Sequence, residues 1–259
     1  MPTKLDAGET ATQVPNATSS RPSIARRAVL RLRREWRTHC RWLGPHFRPN
    51  LWRVDPVSRE FGFDRGKPVD RYYIETFLRD EADVIRGRVL EVEHDIYTRQ
   101  FGGDRVTQSD ILYRNHGLSR ATIVADLADA PHIPSDSFDC IILIHVLQYI
   151  YDVRSTVHTL HRILKSGGSV LAAVPFIGQY SPGDRAMWGE YWRFSTSAIQ
   201  RLFGDVFGPA NTHVRAFGNA LSATAFIQGV AAEELSTAEL DHYDPDYDLI
   251  VAVRATRRT

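Results

Sequence analysis

The chain has 259 residues, 43% of them apolar and 24% charged, which supplies a sizeable core and excludes global disorder. The formal net charge of +1 selects no polyanionic partner, yet it is uneven: residues 1–60 carry 12 Lys/Arg against 5 Asp/Glu (+7), and the remaining 199 carry 20 against 26 (−6). Two cysteines, Cys40 and Cys140, exclude a disulfide framework and show no zinc spacing. The apolar run 140–147 is too short for a membrane helix, and no apolar region follows Arg26-Arg27, so a soluble cytoplasmic protein without a transmembrane segment is expected.

Residues 1–22, rich in Thr, Ser, Ala and Pro, read as a disordered tail. From Ile24 to Leu43 a helical period runs through Val29, Leu32, Trp36 and Cys40, while the other faces carry seven arginines and a single acid, Glu35. The simplest role for such a basic amphipathic helix is docking on the acidic body; peripheral contact with an anionic membrane through residues 24–43 is the sharper alternative. Residues 23–68 thus comprise this helix and an irregular, Pro- and Gly-containing lead-in. Val69–Asp80 predicts a helix with Tyr73, Ile74, Phe77 and Leu78 on one face. Strands are predicted at Arg88–Val92, Val106–Ser109, Ala121–Ala125 and Phe138–Ile144, the last an apolar run of the kind found in a parallel strand covered on both faces. Asp152 caps a helix that Gly167-Gly168 would end, followed by a strand at Ser169–Val174. Helices at Ser195–Phe207 and Leu221–Glu234 then alternate with strands at His213–Phe217 and Leu249–Val253. The alternation predicts a doubly wound α/β domain over residues 69–259, whose ligands collect at the carboxyl ends of the strands.

Those ends carry acids. Glu91 closes strand one. Asp110, followed by Ile111, closes strand two and would accept ribose hydroxyls. Asp126-Leu127 follow strand three and suit an adenine amino group and ring face. The runs DLADAPHIPSDSFDCIILIHVLQYI (126–150) and LHRILKSGGSVLAAVP (160–175) resemble the second half of a class I S-adenosylmethionine-dependent methyltransferase. FGFDRGKPVDRYYIETFL (61–78) is similar to the opening segment of a bacterial subgroup associated with glycan and surface-polysaccharide synthesis. The resemblance implies a Rossmann-like, mostly parallel seven-stranded sheet with an antiparallel last strand behind an N-terminal helical extension. It also implies S-adenosylmethionine as cofactor, held by Glu91, Glu93, Asp110, Ile111, Asp126, Leu127 and His145.

The sequence departs from that family in the loop EVEHDIYTRQFGG (91–103), where Glu93, Asp95 and Tyr97 replace glycines that let the backbone approach the cofactor. Side chains there would crowd it. For methyl transfer to a hydroxyl, a base is needed near the end of strand four, which His145 provides; Asp70, on the first helix, is the second candidate. Tyr73, and Tyr191, Trp192 and Arg193 in the long aromatic segment 175–195, are expected to face the acceptor. The predicted reaction is O-methylation of a small polar hydroxyl compound, with a saccharide, glycan precursor or secondary metabolite as acceptor. The alternative is a catalytically inactive methyltransferase-fold partner or scaffold, supported by the filled loop. A nicotinamide-dependent dehydrogenase would need the absent Gly-x-Gly-x-x-Gly. No nucleic-acid motif is present, and consecutive Glu93-His94-Asp95 do not make a metal site. A homodimer is an allowed assembly.

Overall fold

The computed structural model describes residues 54–258; the predicted tail at 1–22 and the basic helix at 24–43 lie outside them. In chain order the elements are α1 (Val69–Asp80), β1 (Gly87–Val92), β2 (Val106–Tyr113), β3 (Ile123–Val124), β4 (Phe138–Ile144), α2 (Val153–Ile163) and β5 (Leu164–Pro175). They continue as α3 (Pro182–Trp188), α4 (Thr196–Phe207), β6 (Thr212–Phe217), α5 (Ala220–Gln228), α6 (Thr237–Asp241) and β7 (Ile250–Thr256). The seven strands form one sheet in the order β3-β2-β1-β4-β5-β7-β6. The pairings β1–β2, β1–β4, β2–β3 and β4–β5 are parallel, and only β7 runs antiparallel to its neighbours β5 and β6. The chain winds outward from β1 to β3 and then returns to β4. That reversal opens a crevice beyond the carboxyl ends of β1 and β4.

Strand periodicity divides the core. In β4, Ile141 and Leu143 join the cluster covered by α2 and α4, while Cys140 and Ile142 join the one under α1 and α5. Both faces are buried, which is why the strand reads as an unbroken apolar run. Tyr73, Ile74, Phe77 and Leu78 are the buried face of α1, as their spacing predicts. No described helix is long and apolar enough to cross a membrane.

Several boundaries differ from the sequence reading. β2 continues three residues past Asp110, because Leu112 and Tyr113 pair with Ile123 and Val124 of β3. α2 stops at Ile163 rather than at Gly167-Gly168, since Leu164 is already extended and paired with Phe138. α5 ends at Gln228, six residues before the predicted end, and is capped by Gly229. That glycine is left-handed (φ +67°), and a Cβ on it would lie 2.4 Å from the Ser58 carbonyl oxygen of the lead-in, so helix and lead-in meet where only glycine fits. α3 was expected as loop; Pro182 at its first turn starts a short helix within the aromatic segment.

Candidate active site

A cavity of about 350 Å³ lies beyond the carboxyl ends of β1 to β4, a size suited to a small organic ligand. Phe61 and Phe63 of the lead-in, the first turn of α1, and the 175–195 segment close it from the other sides.

At the end of β4 the backbone turns sharply at His145, whose φ of +56° is left-handed, while its N–H donates to the Ala173 carbonyl at 2.9 Å. A left-handed conformation is uncommon for a residue other than glycine and recurs where function holds it. The turn brings His145 Nε2 within 2.8 Å of Asp70 Oδ2, on the first turn of α1, 75 positions earlier in the chain. Asp70 also accepts the Arg71 N–H at 2.8 Å. Burial alone would push the Asp70 carboxyl up, but the hydrogen bond and charge of His145, with Arg71, outweigh it and hold the group below its ordinary value of 3.8. An ionised carboxylate fixes the ring proton on Nε2, so neutral His145 keeps a lone pair on Nδ1. That atom is buried and has no protein partner.

The sign of the Asp70 shift makes a prediction. A depressed carboxyl pKa stabilises the fold above the unfolded value and loses that contribution as the pH falls through the folded one. The urea-midpoint difference between wild type and Asp70→Asn is therefore expected to be constant from neutral pH to about 4, then to shrink. A difference that grows on acidification contradicts the assignment.

The β1 loop solves the missing-glycine problem in an unexpected way. Glu91, 2% exposed, does not line the cavity. Its carboxylate is used up within its own loop, accepting from Thr98 N (2.8 Å), Thr98 Oγ1 (2.7 Å) and Tyr97 N (3.3 Å) and meeting His94 Nδ1 at 2.7 Å. These bonds pull the chain into a π-turn at Thr98–Gly102. Asp95 then pairs with Arg99 at 2.6 Å, and Tyr97 packs into the core and takes a hydrogen bond from Arg71. Neither side chain lines the cavity. Of the residues standing in for glycine, only Glu93 reaches it, with a glycine-like φ of +70° and an exposed carboxylate that has no partner among the described residues. Left-handed strain of about 1–2 kcal/mol, set against about 0.5–1 kcal/mol of extra unfolded-state entropy for glycine, predicts that Glu93→Gly stabilises the fold by about 0.5–1 kcal/mol. The check is an upward shift in the urea midpoint; a downward shift would show that the side chain contributes more than its backbone costs.

Asp110 corrects the sequence reading. Because β2 runs on to Tyr113, Asp110 sits inside the strand, where it is bound by Arg88 Nε (2.7 Å) and Thr122 Oγ1 (2.9 Å) and does not line this cavity. Ile111 is likewise buried within the strand. Tyr113 and Arg114 take the strand-end position instead. Asp126 and Leu127 do line the cavity, and Arg114 pairs with Asp126 at 2.8 Å.

The acceptor residues also part company. Tyr73 is a core residue, its hydroxyl donating to the Leu240 carbonyl at 2.8 Å and its ring stacked on Phe217, because its helix face turns inward. Tyr191 is half exposed against Tyr151, and Trp192 donates to the Ile150 carbonyl at 3.0 Å beside a shallow groove; neither lines the cavity. Arg193 does, paired with the buried Glu190 at 2.6 Å. The sequence reading passed over Gln148, Tyr149 and Ser181; these line the cavity together with Asp184 and Glu190, the two acids of the 175–195 segment that suit a sugar or a flat polar metabolite. Their one visible signal is the polar pair in HVLQYI, directly after the apolar strand.

Residues 92–172, from the end of β1 to the middle of β5, match the family model described as a methyltransferase domain. No curated protein matches the chain in sequence. Solved structures with a similar course include a SAM-dependent methyltransferase from Archaeoglobus fulgidus (10% identity, 72% of this chain and 94% of that one, TM-score 0.49). Another is the N-methyltransferase NodS from Bradyrhizobium japonicum, in complex with S-adenosylhomocysteine (14%, 81% and 95%, 0.46). A third is a SAM-dependent methyltransferase from Thermotoga maritima described as a possible histamine N-methyltransferase (16%, 73% and 92%, 0.46). The fold is a Rossmann-like α/β fold, with its crevice at the β1/β4 switch point. The matched residues thus carry a methyltransferase domain, whose cofactor is S-adenosylmethionine.

The cavity fits that cofactor. The loop at residue 93 keeps a glycine-type backbone, the side chains of Asp95 and Tyr97 are withdrawn, and Asp126-Leu127 stand at the end of β3. Among the described residues no group of three or more His, Cys, Asp or Glu could hold a metal ion.

Proposed function

We propose that the protein methylates a hydroxyl oxygen of a small polar acceptor, with a saccharide or glycan precursor as the leading class. The observation that carries this reading is the Asp70–His145 pair with its unpartnered Nδ1 in the cavity wall. S-adenosylmethionine, when bound, supplies a methyl already activated for displacement. The residues of this chain then have to bind, align and deprotonate. Asp126, Leu127 and Glu93 would hold the cofactor: Asp126 and Leu127 the adenosine, and Glu93 the cationic end, which its free carboxylate attracts. Glu91 acts one step back, as a positioning residue for the loop. His145 Nδ1 would take the proton from the acceptor hydroxyl as the oxygen–methyl bond forms, and the Asp70 carboxylate would stabilise the resulting imidazolium.

An amine acceptor, by contrast, arrives at neutral pH as a cation and calls for a free carboxylate. At the acceptor end Asp70, Asp184 and Glu190 are already engaged by His145, Ser181 and Arg193, which supports a neutral hydroxyl compound. Isothermal titration with S-adenosylmethionine and S-adenosylhomocysteine tests the reading. Micromolar binding of both is expected; absence of both would end it and leave a non-catalytic scaffold.

A further inference from the structure

Three residues beyond His145, Gln148 lines the same cavity and is 2% exposed, yet its Oε1 has no hydrogen-bond partner. Its amide orientation is set by neighbours. The Gln148 side chain lies beside the Tyr149 hydroxyl, whose pKa burial together with Asp184 and Glu190 pushes up, and that hydroxyl donates to Asp184 Oδ2 at 3.4 Å. The carbonyl oxygen is the end of the amide left without a partner. The Gln148 main chain is fixed as well, its carbonyl accepting the Tyr191 N–H at 2.8 Å. Folded proteins leave few buried acceptors unsatisfied, because each forfeits its hydrogen bond to water. Here two occur within four residues, Gln148 Oε1 and His145 Nδ1, and both residues belong to one cavity wall.

Both atoms are acceptors, and of the carboxylates in the same wall Asp70 and Glu190 are paired with His145 and Arg193 while Asp184 takes the Ser181 hydroxyl. A ligand that satisfies both must bring two neutral donors. We propose that Gln148 selects the acceptor: its Oε1 takes a hydrogen bond from a second hydroxyl, one that does not react, so the acceptor is a neutral polyhydroxylated compound rather than a simple alcohol, a phenol or an amine. This rests on the methyltransferase reading only for the reacting hydroxyl at His145; the contact at Gln148 is a binding contact.

The test is saturation-transfer NMR on the full chain, with and without S-adenosylhomocysteine, using methyl glycosides of glucose, galactose, mannose and rhamnose, their mono-deoxy analogues, and ethanolamine. At least one glycoside is expected to bind. Two different mono-deoxy analogues of it should each bind about tenfold more weakly to wild type. Gln148→Met should weaken the parent glycoside about tenfold, leave affinity for S-adenosylhomocysteine unchanged, and be indifferent to loss of one of the two hydroxyls. The melting temperature of Gln148→Met should equal or exceed that of wild type, since the unsatisfied acceptor is gone. Binding of no glycoside, preference for ethanolamine, or undiminished glycoside binding by Gln148→Met would each overturn the proposal. The deoxy series needs no variant and decides the matter if Gln148→Met does not fold. Failure of S-adenosylhomocysteine to bind would strike the methyltransferase reading instead, and the arm without it would still report on Gln148.

Discussion

Replacing His145 by Asn is expected to lower kcat by about 10²- to 10⁴-fold while leaving the affinity for S-adenosylhomocysteine within about threefold of wild type. Such a loss corresponds to about 3–5 kcal/mol of transition-state stabilisation, the usual worth of a positioned proton acceptor. Asn is the informative substitution because His145 has a φ of +56°, a conformation that Asn tolerates and Ala does not. The backbone turn that delivers Gln148 and Tyr149 to the cavity is then preserved, so lost turnover reports on the imidazole. Retention of kcat within threefold would place the base elsewhere. Asp70→Asn provides the companion measurement. It removes the charge opposite the imidazolium while keeping the side-chain shape, so kcat should fall, KM should change less, and the pH–rate profile should shift.

The second large effect is on stability. Glu91→Ala is expected to cost about 3–5 kcal/mol, a large share of the 5–15 kcal/mol typical of a domain. The reason lies in what would be left behind. Thr98 N, Thr98 Oγ1 and Tyr97 N, with His94 Nδ1 beside them, converge on this one buried carboxylate, and without it they lose their partner in a place water does not reach. Glu91→Gln, which keeps the shape and one acceptor oxygen, should cost less than half as much. Urea denaturation reads both. If Glu91→Ala unfolds at the wild-type midpoint, the loop is not held by this carboxylate, and the account given for its departure from the glycine pattern fails.

The second prediction concerns a residue where sequence and structure diverge in meaning. A strand-end acid in the sequence is consistent with binding a ligand or with binding the chain itself, and spacing does not distinguish the two. Glu91 and Asp110 both turned inward, for reasons that lie elsewhere in the chain. For Glu91 the reason is the hydroxyl and amide groups of Thr98. For Asp110 it is the guanidinium of Arg88, together with a β2 that continues three residues further than its composition suggested. Asp126, by contrast, opens a turn at the end of a two-residue strand and stays at the cavity. Tyr73 illustrates the same limit: an aromatic on a helix beside the site is legible, but the face it occupies sends it into the core.

What the sequence determined by itself is the layered α/β architecture. Its apolar periods, the buried run at 138–144 and the alternation of strand with helix are local properties, and local properties survive without knowledge of the neighbours. It also marked His145, because a polar residue ending a buried strand at the switch side of a sheet has few other places to be. Tertiary structure alone decided which side chains share the cavity. The Asp70–His145 bond joins residues 75 positions apart, and the π-turn that withdraws Asp95 and Tyr97 is fixed by contacts across a loop rather than by the residues replaced. The charge asymmetry of the opening sequence is redistributed in the same way. Within the described residues, several of the body's acids, Glu91, Asp110, Asp126 and Glu190 among them, are matched by donors close at hand, and Glu93 stands at the cavity with a free carboxylate. Net charge counts groups; only the fold assigns their partners.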